Sequence, residues 1–295
     1  MRASLLAIAF FGIILILTGL GRSLIGSAPY AASTVTETER AASPGANPVV
    51  VELFTSEGCS SCPPADRLLA HLQRTQPVPG ADIIALEEHV DYWNDLGWSD
   101  PFSSSQFSNR QDDYAHFFRT SGPYTPQMIV DGKAQFVGSD EHDALAAIAK
   151  AARTPKAQVT FEQIQDSEAA TTRTVRLHVS FGPIAGWRAG DLAEVILAIT
   201  EDDLSSNVTR GENAGNQLVH RAVVRHFQVL GRLDSTGSFA ADPQVKLAKD
   251  WNRENLRAVA FVQDRSSRDV LGASILRLSS PVKPSQAADA TTPSM

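Results

Sequence analysis

Apolar residues run almost unbroken through "VVVELF", Val49–Phe54. A β-branched run of this kind, without alternation, predicts a strand covered on both faces of a sheet. Beyond a short polar loop, Leu68, Leu69 and Leu72 recur at helical spacing. Pro63 and Pro64 suit a first helical turn, so a helix is predicted to begin near Pro63. "DIIALEEHV", Asp82–Val90, is the next strand, apolar in its first half and polar in its second. A loop carrying Tyr92, Trp93, Trp98 and Phe102 follows it. Phe107, Tyr114, Phe117 and Phe118 place a second helix over about 106–120, stopped by Ser121-Gly122-Pro123. "QMIVDGKAQFVG" is two apolar runs joined by Asp131-Gly132, a strong hairpin signal. Ser139 or Asp140 then caps a third helix reaching about Arg153. Strand, helix, strand, helix, strand, strand, helix predicts one layered α/β domain over 48–153.

From Thr154 the pattern changes. "AQVTFEQI", "RTVRLHVSF", "AEVILAIT", "QLVHRAVVRHFQVL", "LRAVAFVQD" and "DVLGASILRL" are strand-like runs between turn signals, with "PQVKLAKDW" the one helical candidate. The expectation is a second, mainly β domain over 154–280, a small sandwich. At the other end, Arg2 precedes the uncharged run Leu5–Leu20, short for a membrane span and closed by Arg22. Residues 1–33 therefore read as an export signal, with Ala31-Ala32-Ser33 an acceptable cleavage site, or as an uncleaved N-terminal anchor. Residues 34–47 read as a polar tether and 281–295 as a disordered tail. Either reading of the N-terminus puts the body of the protein in the periplasm or outside the cell, with membrane contact only through 5–20 if the signal stays.

Composition narrows the function. The 295 residues carry a net charge of −7 and 43% hydrophobic residues, enough for a sizeable core. No basic patch points to nucleic acid. The chain has two cysteines, Cys59 and Cys62, in "LFTSEGCSSCPPAD". A CxxC between a strand and a helix is the pattern of thiol–disulfide chemistry. The positive helix end lowers a thiol pKa, which favours attack by Cys59 as an exposed nucleophile and resolution by Cys62. Ser60 and Ser61 are placed to donate to sulfur, whereas Glu57 and Asp66 oppose the thiolate. As a purely structural staple the pair is weak, because closing so short a loop contributes about 2 kcal/mol. Two thiolates also suit Cu(I), with Met128 or His89 as a third ligand, so the metal alternative is Cys59, Cys62 and His89. A zinc centre lacks its second pair. A non-catalytic protein with a structural disulfide stays open beside these. No cofactor is expected.

The element order resembles the thioredoxin fold. That resemblance implies a cis proline facing the cysteines, which "YTPQ" supplies at Pro126. The preceding Thr125 would then offer its backbone to an extended substrate. It also implies a buried acid on the first strand, and Glu52 stands there. His89, at the end of its strand, is a candidate acid, base or ligand. "VVELFTSEGCSSCPPAD", "HVDYWNDLGWSDPF", "YTPQMIVDGKAQFVGSD" and "TEDDLSSNVTRGENAG" resemble, more closely, an exported bacterial family, domain of unknown function 1223, described as thioredoxin-like with an appended C-terminal part. Glu57 and Glu88 stand where that family often has Gln and an apolar residue. The resulting expectation is an envelope thiol–disulfide oxidoreductase acting on a protein or small disulfide. The loops 207–217 and 92–102 are candidates for joining the two parts at the cysteines.

Overall fold

Strand β1 (Asn47–Thr55) sits where the unbroken apolar run placed it, and Val49, Val50, Val51, Leu53 and Phe54 have no exposed surface. In the computed structural model, residues 45–164, 173–184, 186–188 and 191–278 are described. The run 5–20, most of the tether 34–47 and the tail 281–295 lie outside them. Among the described residues no helix is long and apolar enough to cross a membrane.

Helix α1 (Pro63–Thr75) begins at Pro63, with prolines in its first two positions. Strand β2 (Ala81–His89) pairs parallel to β1 across its full length, Thr55 opposite His89. Helix α2 (Ser105–Phe118) is capped by Ser104, whose hydroxyl accepts from the Gln106 amide. Strands β3 (Gln127–Val130) and β4 (Ala134–Val137) form the expected hairpin, and helix α3 (Glu141–Ala151) is capped by Asp140. Alternate residues of β1 divide between two cores. Val49, Val51 and Leu53 pack with Ala65, Leu69, Leu72 and Ile148 of α1 and α3, whereas Val50 and Phe54 pack with Phe107 and Tyr114 of α2.

The later strands correct the expected architecture. They are β5 (Val159–Ile164), β6 (Thr174–Phe181), β7 (Ala193–Glu201), β8 (Leu204–Asn207), β9 (Gln217–His220), β10 (Val223–Arg232), β11 (Phe239–Ala241), β12 (Gln244–Lys246), β13 (Leu256–Asp264) and β14 (Val270–Arg277). An α/β thioredoxin-like domain followed by a separate β sandwich is not what forms. One mixed sheet of eight strands runs β14-β13-β7-β10-β2-β1-β3-β4, so four strands from each half share a single sheet. The chain is mostly β, with three α-helices among the described residues. The seam is β10 lying parallel to β2, with Val223 opposite Glu87 and the Glu87 amide donating to the Ala222 carbonyl at 2.8 Å.

Packing explains the merger. "AEVILAITE" in β7 and "LRAVAFVQD" in β13 are apolar on both faces, and both strands are buried nearly throughout. A sandwich strand exposes one face, so these runs require cover on both sides. One side is the α2 core, where Ile196, Ala198, Val259 and Phe261 join Phe54 and Phe107. The other is a small sheet, β11-β6-β12 with β5 on β6. Strand β6 alternates buried and half-buried, presenting Val175, Leu177, Val179 and Phe181 to β7 and β13. "PQVKLAKDW" contains the short strand β12 rather than a helix.

Candidate functional site

The cysteines occupy the turn between β1 and α1, at the end of β1 where β2 also stops. Cys59 and Cys62 are joined by a disulfide. The Cys59 amide donates to the Ser56 carbonyl and the Cys62 amide to the Cys59 carbonyl, which winds the loop into the helix. Ser61 Oγ lies 3.4 Å from Cys59 Sγ. One expectation needs correction here. Both cysteines are fully buried, so Cys59 is not exposed. The helix also offers few free donors: Pro63 and Pro64 have no N–H, and the Ala65 and Asp66 amides already donate to the Cys62 carbonyl. What remains is the helix dipole.

Both candidate loops reach the cysteine turn or its neighbours. Asn213 Nδ2 donates to the carbonyls of Glu57 and Cys59, and the Ser60 amide donates to Glu212 Oε2 at 3.0 Å. Trp98 Nε1 donates to Glu57 Oε2 at 2.8 Å, and Trp93 Nε1 to Thr125 Oγ1 at 2.8 Å. The Thr125–Pro126 peptide is cis. Pro126, Ala65 and Leu53 converge on Gly138, where an added Cβ would lie 3.1, 3.1 and 2.6 Å from their side chains. Thr125 and Pro126 therefore belong to the wall beside the start of α1.

Glu52 keeps different company. Arg110 Nε reaches its Oε2 at 2.5 Å and Tyr114 Oη donates to its Oε1 at 2.6 Å, on the α2 side of the sheet. Glu88 lies beside it, 3.8 Å from Arg110, and burial followed by the charge of Glu52 holds its carboxyl well above the usual range. The acid on the helix side is Asp66, one turn beyond Cys62. It accepts from Thr55 Oγ1 at 2.6 Å, and burial, then the charge of Glu87, push it up to about 7.

Beside the cysteine turn lies a buried charged cluster. His89 Nδ1 is 2.7 Å from Asp100 Oδ2, and Asp100 also accepts from the Glu57 amide. His220 Nδ1 is 2.8 Å from Glu87 Oε1, and its Nε2 is 3.2 Å from Glu57 Oε1. The two imidazoles meet edge to face at 4.8 Å. Burial opposes a charged imidazole, but Asp100 outweighs it for His89, pushed up to about 10, and Glu87 with Glu57 does so for His220, pushed up to about 11. Glu87 is in turn held low, because His220 and His89 outweigh its burial. His89 thus stands with Glu87, Asp100 and His220, and the two sulfurs are bonded to each other. The sequence reading missed Glu87, Asp100, Asn213 and His220. The apolar-to-polar switch in "DIIALEEHV" marked where β2 becomes a site, but nothing local paired it with a histidine so far along the chain.

Two solved structures share the fold. Protein AGR_C_4864 from Agrobacterium tumefaciens is 26% identical at a TM-score of 0.56, covering 78% of this chain and 94% of its own. HBP35 of Porphyromonas gingivalis is 14% identical at a TM-score of 0.60, covering 84% of this chain and 81% of its own. No curated protein matches the chain. The profile of the family described as protein of unknown function DUF1223 matches residues 50–263, and the chain belongs to that family.

Proposed function

We propose that this protein is a thiol–disulfide oxidoreductase of the cell envelope, exported or held by its N-terminal segment. The single observation that carries the reading is the placement of the chain's two cysteines. They form a three-apart pair closed into a disulfide at a strand-to-helix turn, with Pro126 in the wall beside the start of α1. Kinship of this unit with thioredoxin-like proteins is part of the same reading.

In the reducing direction, Cys59 thiolate attacks one sulfur of a protein or small-molecule disulfide. An S–S bond to Cys59 forms and the substrate's other sulfur leaves as a thiolate. Cys62, deprotonated, then attacks Cys59 Sγ, which releases the second substrate thiolate and leaves the Cys59–Cys62 disulfide. The substrate gains two electrons and the protein loses two; a dithiol partner must return them. The reverse sequence oxidises a dithiol. Asp66, on the same helix face as Cys62 and titrating near neutrality, is the group we assign to take the Cys62 proton.

Equilibration in glutathione buffers, with alkylation of free thiols, tests this. A reversible two-electron couple in the range of known exchange proteins is expected. A pair that stays bridged at every glutathione ratio would reduce it to a structural staple.

A further inference from the structure

We propose that Glu87, His89 and His220 form a binding site for one divalent transition-metal ion of the zinc class. Glu87 and His89 are two apart on β2 and so share a face, and His220 closes β9, reaching the same spot from the second half of the chain. One ligand atom from each lies within 4.8 Å of the others. Glu87 Oε1 is 2.8 Å from His220 Nδ1 and 3.6 Å from His89 Nε2. A tetrahedral ion with bonds of about 2.0–2.1 Å spaces its ligands by about 3.3 Å. The three atoms bracket that spacing.

Each imidazole is oriented by a carboxylate on its other nitrogen. Asp100 holds His89 Nδ1 at 2.7 Å, which turns Nε2 inward, and Glu57 holds His220 Nε2 at 3.2 Å, which turns Nδ1 inward. Outer carboxylates on ligating histidines are what fixes tautomer and ring direction in metal sites. An independent observation points to the missing group. Among the described residues His89 Nε2 is fully buried and has no hydrogen-bond partner, its nearest carboxylate oxygen being Glu87 Oε1 at 3.6 Å. Unmatched buried polar atoms are uncommon, and an ion at this position would satisfy it. Three buried carboxylates, one ligating and two orienting, offset the charge of the ion. Two imidazoles and one carboxylate without sulfur suit zinc or iron better than Cu(I).

Such an ion would fasten β9, and with it the Asn213 loop, onto β2. The site does not depend on exchange chemistry at the cysteines, so its test reads metal alone. The full chain is stripped with chelator in denaturant and refolded with Co2+ or Zn2+ as the only metal. One equivalent bound per chain is expected, with the ligand-field spectrum of nitrogen and oxygen donors and no sulfur charge-transfer band. Binding should survive in Cys59→Ser/Cys62→Ser, fall about 10- to 100-fold in Asp100→Asn, and disappear in Glu87→Gln and His220→Gln. Should the last two fail to fold, X-ray absorption of the wild-type zinc form decides by counting two imidazoles and no sulfur. A refolded wild type that takes up neither ion, a spectrum with sulfur ligation, or folded Glu87→Gln that binds as well as wild type would each overturn the proposal.

Discussion

Asn213 holds Cys59 from the far half of the chain, its Nδ2 lying 3.0 Å from the Cys59 carbonyl and 2.8 Å from that of Glu57. Replacing it with alanine removes both bonds from a buried turn, at a cost of about 1–3 kcal/mol. The sulfurs beneath should become easier to reach. Asn213→Ala is expected to raise the rate of disulfide reduction by a small dithiol several-fold at equal temperature. A rate equal to wild type would mean that this contact does not limit access.

The two cysteines should behave differently when separated. Cys62→Ala leaves an attacking thiol with nothing to resolve its mixed disulfide, so it should accumulate adducts with envelope proteins or with a model disulfide. Cys59→Ser should accumulate few. Thiol-trapping gels read both. Equal trapping by the two variants would contradict the assigned roles.

Asp66 sets a pH dependence. Its carboxyl titrates at about 7 in the folded protein against 3.8 ordinarily, with burial the main cause. The folded state therefore holds this proton more tightly than the unfolded chain. Its contribution to stability is complete below about pH 4 and is lost as the pH rises to about 7. Asp66→Asn keeps an acceptor for Thr55 and removes the ionisation. The variant should gain stability relative to wild type across that window, by a few kcal/mol at most, and follow it in parallel above. Denaturant melts at several pH values measure this; parallel curves from pH 4 to 7 would refute it.

Arg110 compensates buried acids on the opposite face. Its guanidinium pairs with Glu52, lies 3.8 Å from Glu88 and sits 4.9 Å from the Phe227 ring centre. Arg110→Met strands a buried carboxylate, which costs about 3–5 kcal/mol. Adding Glu52→Gln should recover much of that loss. Chemical denaturation of the three variants checks it, and a double variant no better than the single would place the cost in packing instead.

Much of the first half was legible because its signals are local. Pro63 marks the start of α1, Asp131-Gly132 the hairpin and Asp140 the cap of α3. In the second half the signal lies in the periodicity of the strand-like runs and not in their number. "TVRLHVSF" alternates and is one-sided, whereas "AEVILAITE" does not and lies deep in the large sheet. That contrast marks β7 as covered on both faces, whereas the sheet it joins has no local signal. The pairing of His220 with Glu87 had no such signal, because it depends on where β10 docks. Glu52 sat on the expected strand, yet strand alternation turned it toward α2 and Arg110, while Asp66 took the position on the cysteine side.

The seam between β2 and β10 also governs how the chain can be made. Synthesis delivers β2 long before Val223, and until then its outer edge presents bare amides and carbonyls. Exposed edges of this kind recruit strands from other molecules. The order of the strands therefore sets an order of completion: the large sheet cannot close until the chain has reached Val223, through contacts of high sequence separation.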